Sequence, residues 1–112
     1  MTKALNNTLT CSACTGINTV TAIGGSAASS NAGSSQFGFN AIYDSGTSPI
    51  ASSVAPYNAA GQYAFNSGDE IINSSRPINQ TVFNVNFIAN IKGNEKGGNY
   101  NTTITYTATA NF

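Results

Sequence analysis

Phe83-Asn84-Val85-Asn86-Phe87-Ile88-Ala89-Asn90-Ile91 alternates apolar and polar residues with a period of two. Side chains of a strand point alternately to opposite faces. Phe83, Val85, Phe87, Ala89 and Ile91 therefore share one face, and Asn84, Asn86 and Asn90 share the other, with Ile88 the exception. The pattern predicts a strand with an apolar stripe on a core and an asparagine stripe in water. On that parity Phe87→Asp is expected to bury an uncompensated charge and prevent folding, whereas Asn86→Asp is expected to be tolerated within about 0.5 kcal/mol.

Beyond the loop Gly93-Asn94-Glu95-Lys96-Gly97-Gly98-Asn99 the alternation returns. Tyr100, Ile104, Tyr106, Ala108, Ala110 and Phe112 fall on one face, and Thr103, Thr105, Thr107 and Thr109 on the other. Threonine at every second position is a strand signal because its branched Cβ restricts χ1 in a helix and packs well on a pleated surface. Two long alternating segments joined by a glycine-rich polar loop predict a hairpin.

Working toward the N-terminus, Ile17 to Ile23, Gln36 to Tyr43, Gly61 to Phe65 and Glu70 to Asn73 read as short strands. Gly24-Gly25, Asp44-Ser45-Gly46 and Ser67-Gly68-Asp69 punctuate them as turns. Ser26 to Ser35 is almost wholly Ser, Ala, Gly and Asn and reads as a flexible loop. Heptads, sustained helical periodicity and internal repeats are missing. The expected architecture is all-β, an antiparallel β-sandwich of Greek-key or immunoglobulin-like kind, with a jelly roll or small barrel as the fallback. The 112 residues fit one domain, 1–112, large enough for a single apolar core without a cofactor.

Composition narrows the function. Only 7% of residues are charged, acids and bases cancel, and histidine and tryptophan are absent. Lys3, Arg76, Lys92 and Lys96 are scattered and form no basic stripe, so no nucleic-acid partner is expected. No run approaches the roughly 20 apolar residues of a membrane helix, and no membrane insertion is expected. Six Phe and five Tyr separate the chain from disordered sequences.

Without histidine, Ser-His-Asp and Cys-His catalysis are excluded. The carboxylates are Asp44, Asp69, Glu70 and Glu95, and only Asp69 and Glu70 are adjacent. Neighbours in a strand or turn point apart, so that pair reads as a solvated turn and lacks the facing geometry of a two-carboxylate glycosidase. Calcium-ligand spacing is absent as well. The expectation is no catalytic residue, no metal, no cofactor and no enzyme.

Cys11-Ser12-Ala13-Cys14 is the one chemically distinctive motif. Two cysteines with no histidine cannot complete a zinc site within one chain, and the flanks do not resemble a thioredoxin-like helix start. A short-loop disulfide between Cys11 and Cys14 is the leading reading, with two free thiols, an intermolecular bridge or a shared metal as alternatives. Sequons at Asn6, Asn73, Asn79 and Asn101 are candidate glycosylation sites if the protein is exported, although a chain so rich in Asn, Ser and Thr produces some by chance. Tyr57 and Tyr63 lie in irregular sequence and are the candidate exposed rings for a ligand platform.

The ending Gly97-Gly98-Asn99-Tyr100-Asn101-Thr102-Thr103-Ile104-Thr105-Tyr106-Thr107-Ala108-Thr109 resembles the last strand of immunoglobulin-like modules in microbial surface and pilus proteins, spore-coat-U-like and chaperone–usher domains among them. The likeness covers about the last thirty residues. It implies an extracellular or cell-surface module that assembles into fibres or coats; if the protein is secreted, Met1 is expected to be an expression start that replaced a leader, since none is present in this chain. Cys11 and Cys14 are too close together for the long-range disulfide of pilins. The alternating Leu5, Leu9 and Cys11 mark an N-terminal strand that either pairs within its own domain or joins a neighbouring subunit. The expected function is thus a structural module that self-assembles through strand edges into a surface fibre, coat or virion layer. The alternative is an adhesin module for a glycan or host protein.

Overall fold

The computed structural model describes residues 2–5, 8–11, 13–16 and 19–110. Among them the chain is all-β: β1 (Thr2–Leu5), β2 (Thr8–Thr10), β3 (Thr19–Thr21), β4 (Gly24–Ala28), β5 (Gln36–Gly46), β6 (Ser52–Ser53), β7 (Tyr63–Phe65), β8 (Glu70–Asn73), β9 (Thr81–Asn90) and β10 (Thr105–Ala108). One sheet has the order β10-β1-β8-β6, a second has β4-β7-β5-β9, and β2 and β3 form a two-stranded ribbon. The strand pairings are antiparallel. No helix among the described residues is long and apolar enough to cross a membrane.

The core is built on β5. Phe37 through Ala41 are buried without a break, which happens when a strand has cover on both faces. Phe39, Phe37, Tyr57, Phe65, Ala64, Val20 and Ile71 form the central cluster. Phe39 stacks on Tyr57 at 5.0 Å between ring centroids and meets Phe65 edge-on at 5.5 Å, arrangements that suit the quadrupoles of the rings. At Gly38 a Cβ would stand 2.9 Å from Ile23 Cδ1 and 3.2 Å from the Ala64 carbonyl oxygen, so only glycine lets the neighbouring chain come this close.

Four expectations need correction. First, the final hairpin does not form: β9 pairs with β5 from Gln36↔Asn90 to Gly46↔Thr81, and β10 pairs with β1 from Thr2↔Ala108 to Leu5↔Thr105. Alternation tells which side chains share a face and says nothing about which strand lies alongside. The intervening residues are drawn toward β2, where Thr10 and Asn101 exchange two backbone hydrogen bonds of 3.0 Å. Second, the last regular strand is only Thr105–Ala108, whose four residues are exposed, while Tyr100 and Ile104 pack on the core from irregular backbone.

Third, Asp44-Ser45-Gly46 is not a turn. It continues β5 past a bulge between Tyr43 and Ser45, a device that takes up one extra residue and bends the strand. Fourth, β4 occupies Gly24–Ala28, including Gly24-Gly25 and the start of the supposed flexible stretch. The rest of that stretch is tied down: Asn31 N–H donates to Gln36 Oε1 at 2.8 Å, and Gln36 Nε2 donates to the Ser29 carbonyl at 3.2 Å. Glu70–Asn73 is a strand with the expected bounds, and Ser67-Gly68 is a turn with Gly68 at φ 87°, a conformation that costs glycine nothing.

Candidate functional site

The Cys11 and Cys14 sulfurs form a disulfide. The cystine supports Gly98, where a Cβ would fall 2.6 Å from Cys14 Sγ and 2.9 Å from Cys11 Sγ. The loop after β9 therefore lies against the disulfide through bare backbone.

All four carboxylates accept hydrogen bonds from the chain itself. Asp69 takes the Tyr57 hydroxyl at 2.9 Å and Asn66 Nδ2 at 2.8 Å. Glu70 is bonded by Asn73 Nδ2. Asp44 accepts from Ser45 Oγ and Asn84 Nδ2. Glu95 receives the backbone N–H groups of Lys92 and Gly93 at 2.8–2.9 Å, and these donors, Lys92 first, hold its carboxyl below the usual range. Among the described residues no three His, Cys, Asp or Glu side chains gather where they could hold a metal ion.

Tyr57 is not a ligand platform. It is 1% exposed, and burial pushes its hydroxyl well above the ordinary tyrosine range, with Asp69 adding to the effect. Its hydroxyl donates to Asp69 and accepts the Asn66 N–H at 3.2 Å, which pins the Asn66–Asp69 turn to the core. The irregular sequence around Tyr57 hid an anchor. Tyr63 is half-buried in β7.

The sequon asparagines at 73, 79 and 101 are exposed, whereas Asn6 lies outside the described residues. Asn79 Nδ2 donates to the carbonyls of Thr47 and Ser48 at 3.1 and 3.0 Å, so a glycan on that nitrogen would give up one of the two bonds. An open depression of about 660 Å³ lies between β6, β8 and the residues after β10, with Ser52, Glu70, Asn73, Arg76 and Thr109 in its wall. Among the described residues that line it there is no aromatic ring.

The outer edge of β9 is the most distinctive surface. β9 is ten residues long and ends its sheet. From Ile78 to Ile91 there is neither charge nor proline. On one face Phe39 faces Phe87, Ala41 faces Val85 and Tyr43 faces Phe83, yet Val85 and Phe87 remain open to solvent, as do Val82 and Ile91. On the other face runs an amide ladder: Asn86 Nδ2 donates to Asn40 Oδ1 and Asn90 Nδ2 to Gln36 Oε1, each at 2.9 Å. Asn40 in turn donates to the carbonyls of Ala59 and Gln62. The alternating asparagines were visible in the sequence, but their partners on β5 were not.

No protein-family model, curated protein or solved structure matches this chain.

Proposed function

We propose that the chain is a non-enzymatic structural module of an extracellular fibre, coat or virion layer, joined to other copies of itself through sheet edges. On this reading the two four-stranded sheets are the layers of an immunoglobulin-like sandwich. The observation that carries it is the β9 edge. A free strand edge presents unpaired N–H and C=O groups, and monomeric proteins commonly blunt such edges with lysine, proline, inward charge or a covering loop. β9 has no charge and no proline, and it leaves Val85 and Phe87 open beside the ladder. The disulfide is in keeping with an oxidising compartment.

The alternative, a glycan- or host-protein-binding module, rested on exposed tyrosines, and the burial of Tyr57 removes one of the two. Light scattering on size-exclusion fractions, with negative-stain microscopy over a rising concentration series, tests the assembly reading. Growth into dimers and longer species is the expected result. Monomers at every concentration would overturn it in favour of a binding module.

A further inference from the structure

The exposed strand β9 reads nearly the same in both directions. Val82-Phe83-Asn84-Val85-Asn86-Phe87-Ile88 is a chemical palindrome centred on Val85; beyond it Thr81 stands against Ala89, which breaks the match, and Gln80 against Asn90, which resumes it. An antiparallel partner is read backwards, so a palindromic strand is complementary to itself. We propose that the partner of this edge is β9 of a second copy, paired antiparallel about a two-fold axis through Val85. The inference rests on the assembly reading and specifies which edge is used and in which register.

In that register Phe83 faces Phe87 of the other copy, Val85 faces Val85, Asn84 faces Asn86 and Val82 faces Ile88. Every pair has like polarity. Ile88, the exception to the asparagine stripe, meets Val82, which shares its face. Cross-strand aromatic and β-branched pairs each contribute roughly 0.2–1 kcal/mol, and like charges directly opposite would be unfavourable. No charge occurs anywhere between Ile78 and Ile91, so self-pairing meets no such penalty, and a charged partner strand would find no counter-charge there. A shift of one residue would set Val85 against Asn86 and Phe87 against Asn84 at the centre of the contact.

The paired copies would share one eight-stranded sheet, β4-β7-β5-β9 continued through its two-fold mate. The contact is isologous and closes on itself. Fibre growth therefore needs a second contact elsewhere, and the β10 edge, whose residues are exposed, is the other end available on the opposite sheet. Ten residues at about 3.3 Å each give a contact line of about 33 Å, across a sheet roughly 10 Å thick. That is smaller than the usual interface of about 800 Å² per partner, so the pairing is reversible and concentration-dependent.

The test is a set of full-length proteins, each with one cysteine at 81, 83, 85, 87 or 89, carrying a nitroxide label. The native cysteines are bonded to each other and take no label. Label-to-label distances in the oligomer should be shortest at 85 and grow by about 6.7 Å for each residue away from it, because both strands recede from the axis by one rise per residue. In parallel, Val85→Lys should lose the dimer, Val85→Glu should lose it likewise, and an equimolar mixture of the two should regain it. Thr105→Lys on β10 should leave the dimer intact. Oligomers whose label distances are flat, centred elsewhere or long throughout would overturn the two-fold β9 contact and leave edge assembly standing. Absence of oligomers in the unmodified protein would overturn both. Should Val85→Lys fail to fold by circular dichroism, the label profile decides alone.

Discussion

β5 and β9 lie side by side along ten paired positions and carry similar alternating sequences, yet their fates differ. Phe39 is 0% exposed, whereas Phe87, directly opposite it, is 49% exposed. β5 has β7 on its other side and chain over both faces. β9 has β5 on one side and, among the described residues, no strand on the other. Alternation therefore records the face on which a residue lies, while the number of neighbouring strands decides how deeply that face is buried. The expectation that Phe87 is a fully buried core residue is corrected on this ground.

The largest expected effect separates the two rings. Phe39→Ala removes a ring in contact with Tyr57, Phe65 and Phe87 and should cost about 3–5 kcal/mol. Phe87→Ala should cost roughly half as much, because half of that ring is already in water. Urea unfolding curves measure both, and equal losses in dilute monomer would erase the distinction between the strands. By the same reasoning Phe39→Asp prevents folding, whereas Phe87→Asp can turn its carboxylate to solvent.

A middle-sized effect concerns the polar face. Asn40, 2% exposed, holds two loop carbonyls and accepts from Asn86. Asn40→Ala takes the amide donor from the Gln62 carbonyl and one of two donors from the Ala59 carbonyl, which keeps the Gln62 N–H, and it removes the acceptor of Asn86 Nδ2; it should cost about 1–3 kcal/mol, while Asn84→Ala should stay within about 0.5 kcal/mol. Asn86→Asp, expected from sequence to be innocuous, instead sets a carboxylate against the Asn40 carbonyl oxygen and should destabilise measurably. A melting curve of Asn86→Asp that overlays the parent would contradict the ladder.

The smallest effects are pH-dependent. Tyr57 has a folded pKa raised above the ordinary value near 10, first by burial and then by Asp69. The neutral hydroxyl is therefore favoured by folding, and this contribution is complete below pH about 10 and is lost as pH rises toward the folded pKa. Tyr57→Phe should flatten the alkaline limb of the stability curve. Glu95 behaves with the opposite sign. Its carboxyl is lowered by the N–H groups it accepts, so its contribution is present above the ordinary carboxylate pKa and lost as pH falls through the folded one. A loss of protection against exchange, relative to the intrinsic rate at each pH, at the Lys92 and Gly93 amides in acid, with the strands unaffected, is the expected signature.

Much of this was legible locally. Glu70–Asn73 declared itself by composition and by the Ser67-Gly68-Asp69 turn before it, and β5 by Phe37, Phe39 and Ala41. The neighbour relations were not, because pairing of β9 with β5 spans a long stretch of chain and depends on competing edges. The Asn86–Asn40 contact shares that dependence. Tyr57 was misread for a different reason: a buried hydroxyl needs a partner distant in sequence, and nothing around Tyr57 announces Asp69.

The pairing of β1 with β10 has a consequence for how the molecule can be tethered. Thr2 lies opposite Ala108, so the incoming and outgoing ends of the described chain meet at one corner of one sheet. Anything attached at either end emerges from that corner, and the two ends can be joined by a short linker while a surface turn such as Ala59–Gly61 is opened to create new termini. Such a circular permutant keeps every ladder of the fold. It also moves both attachment points to the turn between β6 and β7, changing the direction in which the module is hung without changing its edges.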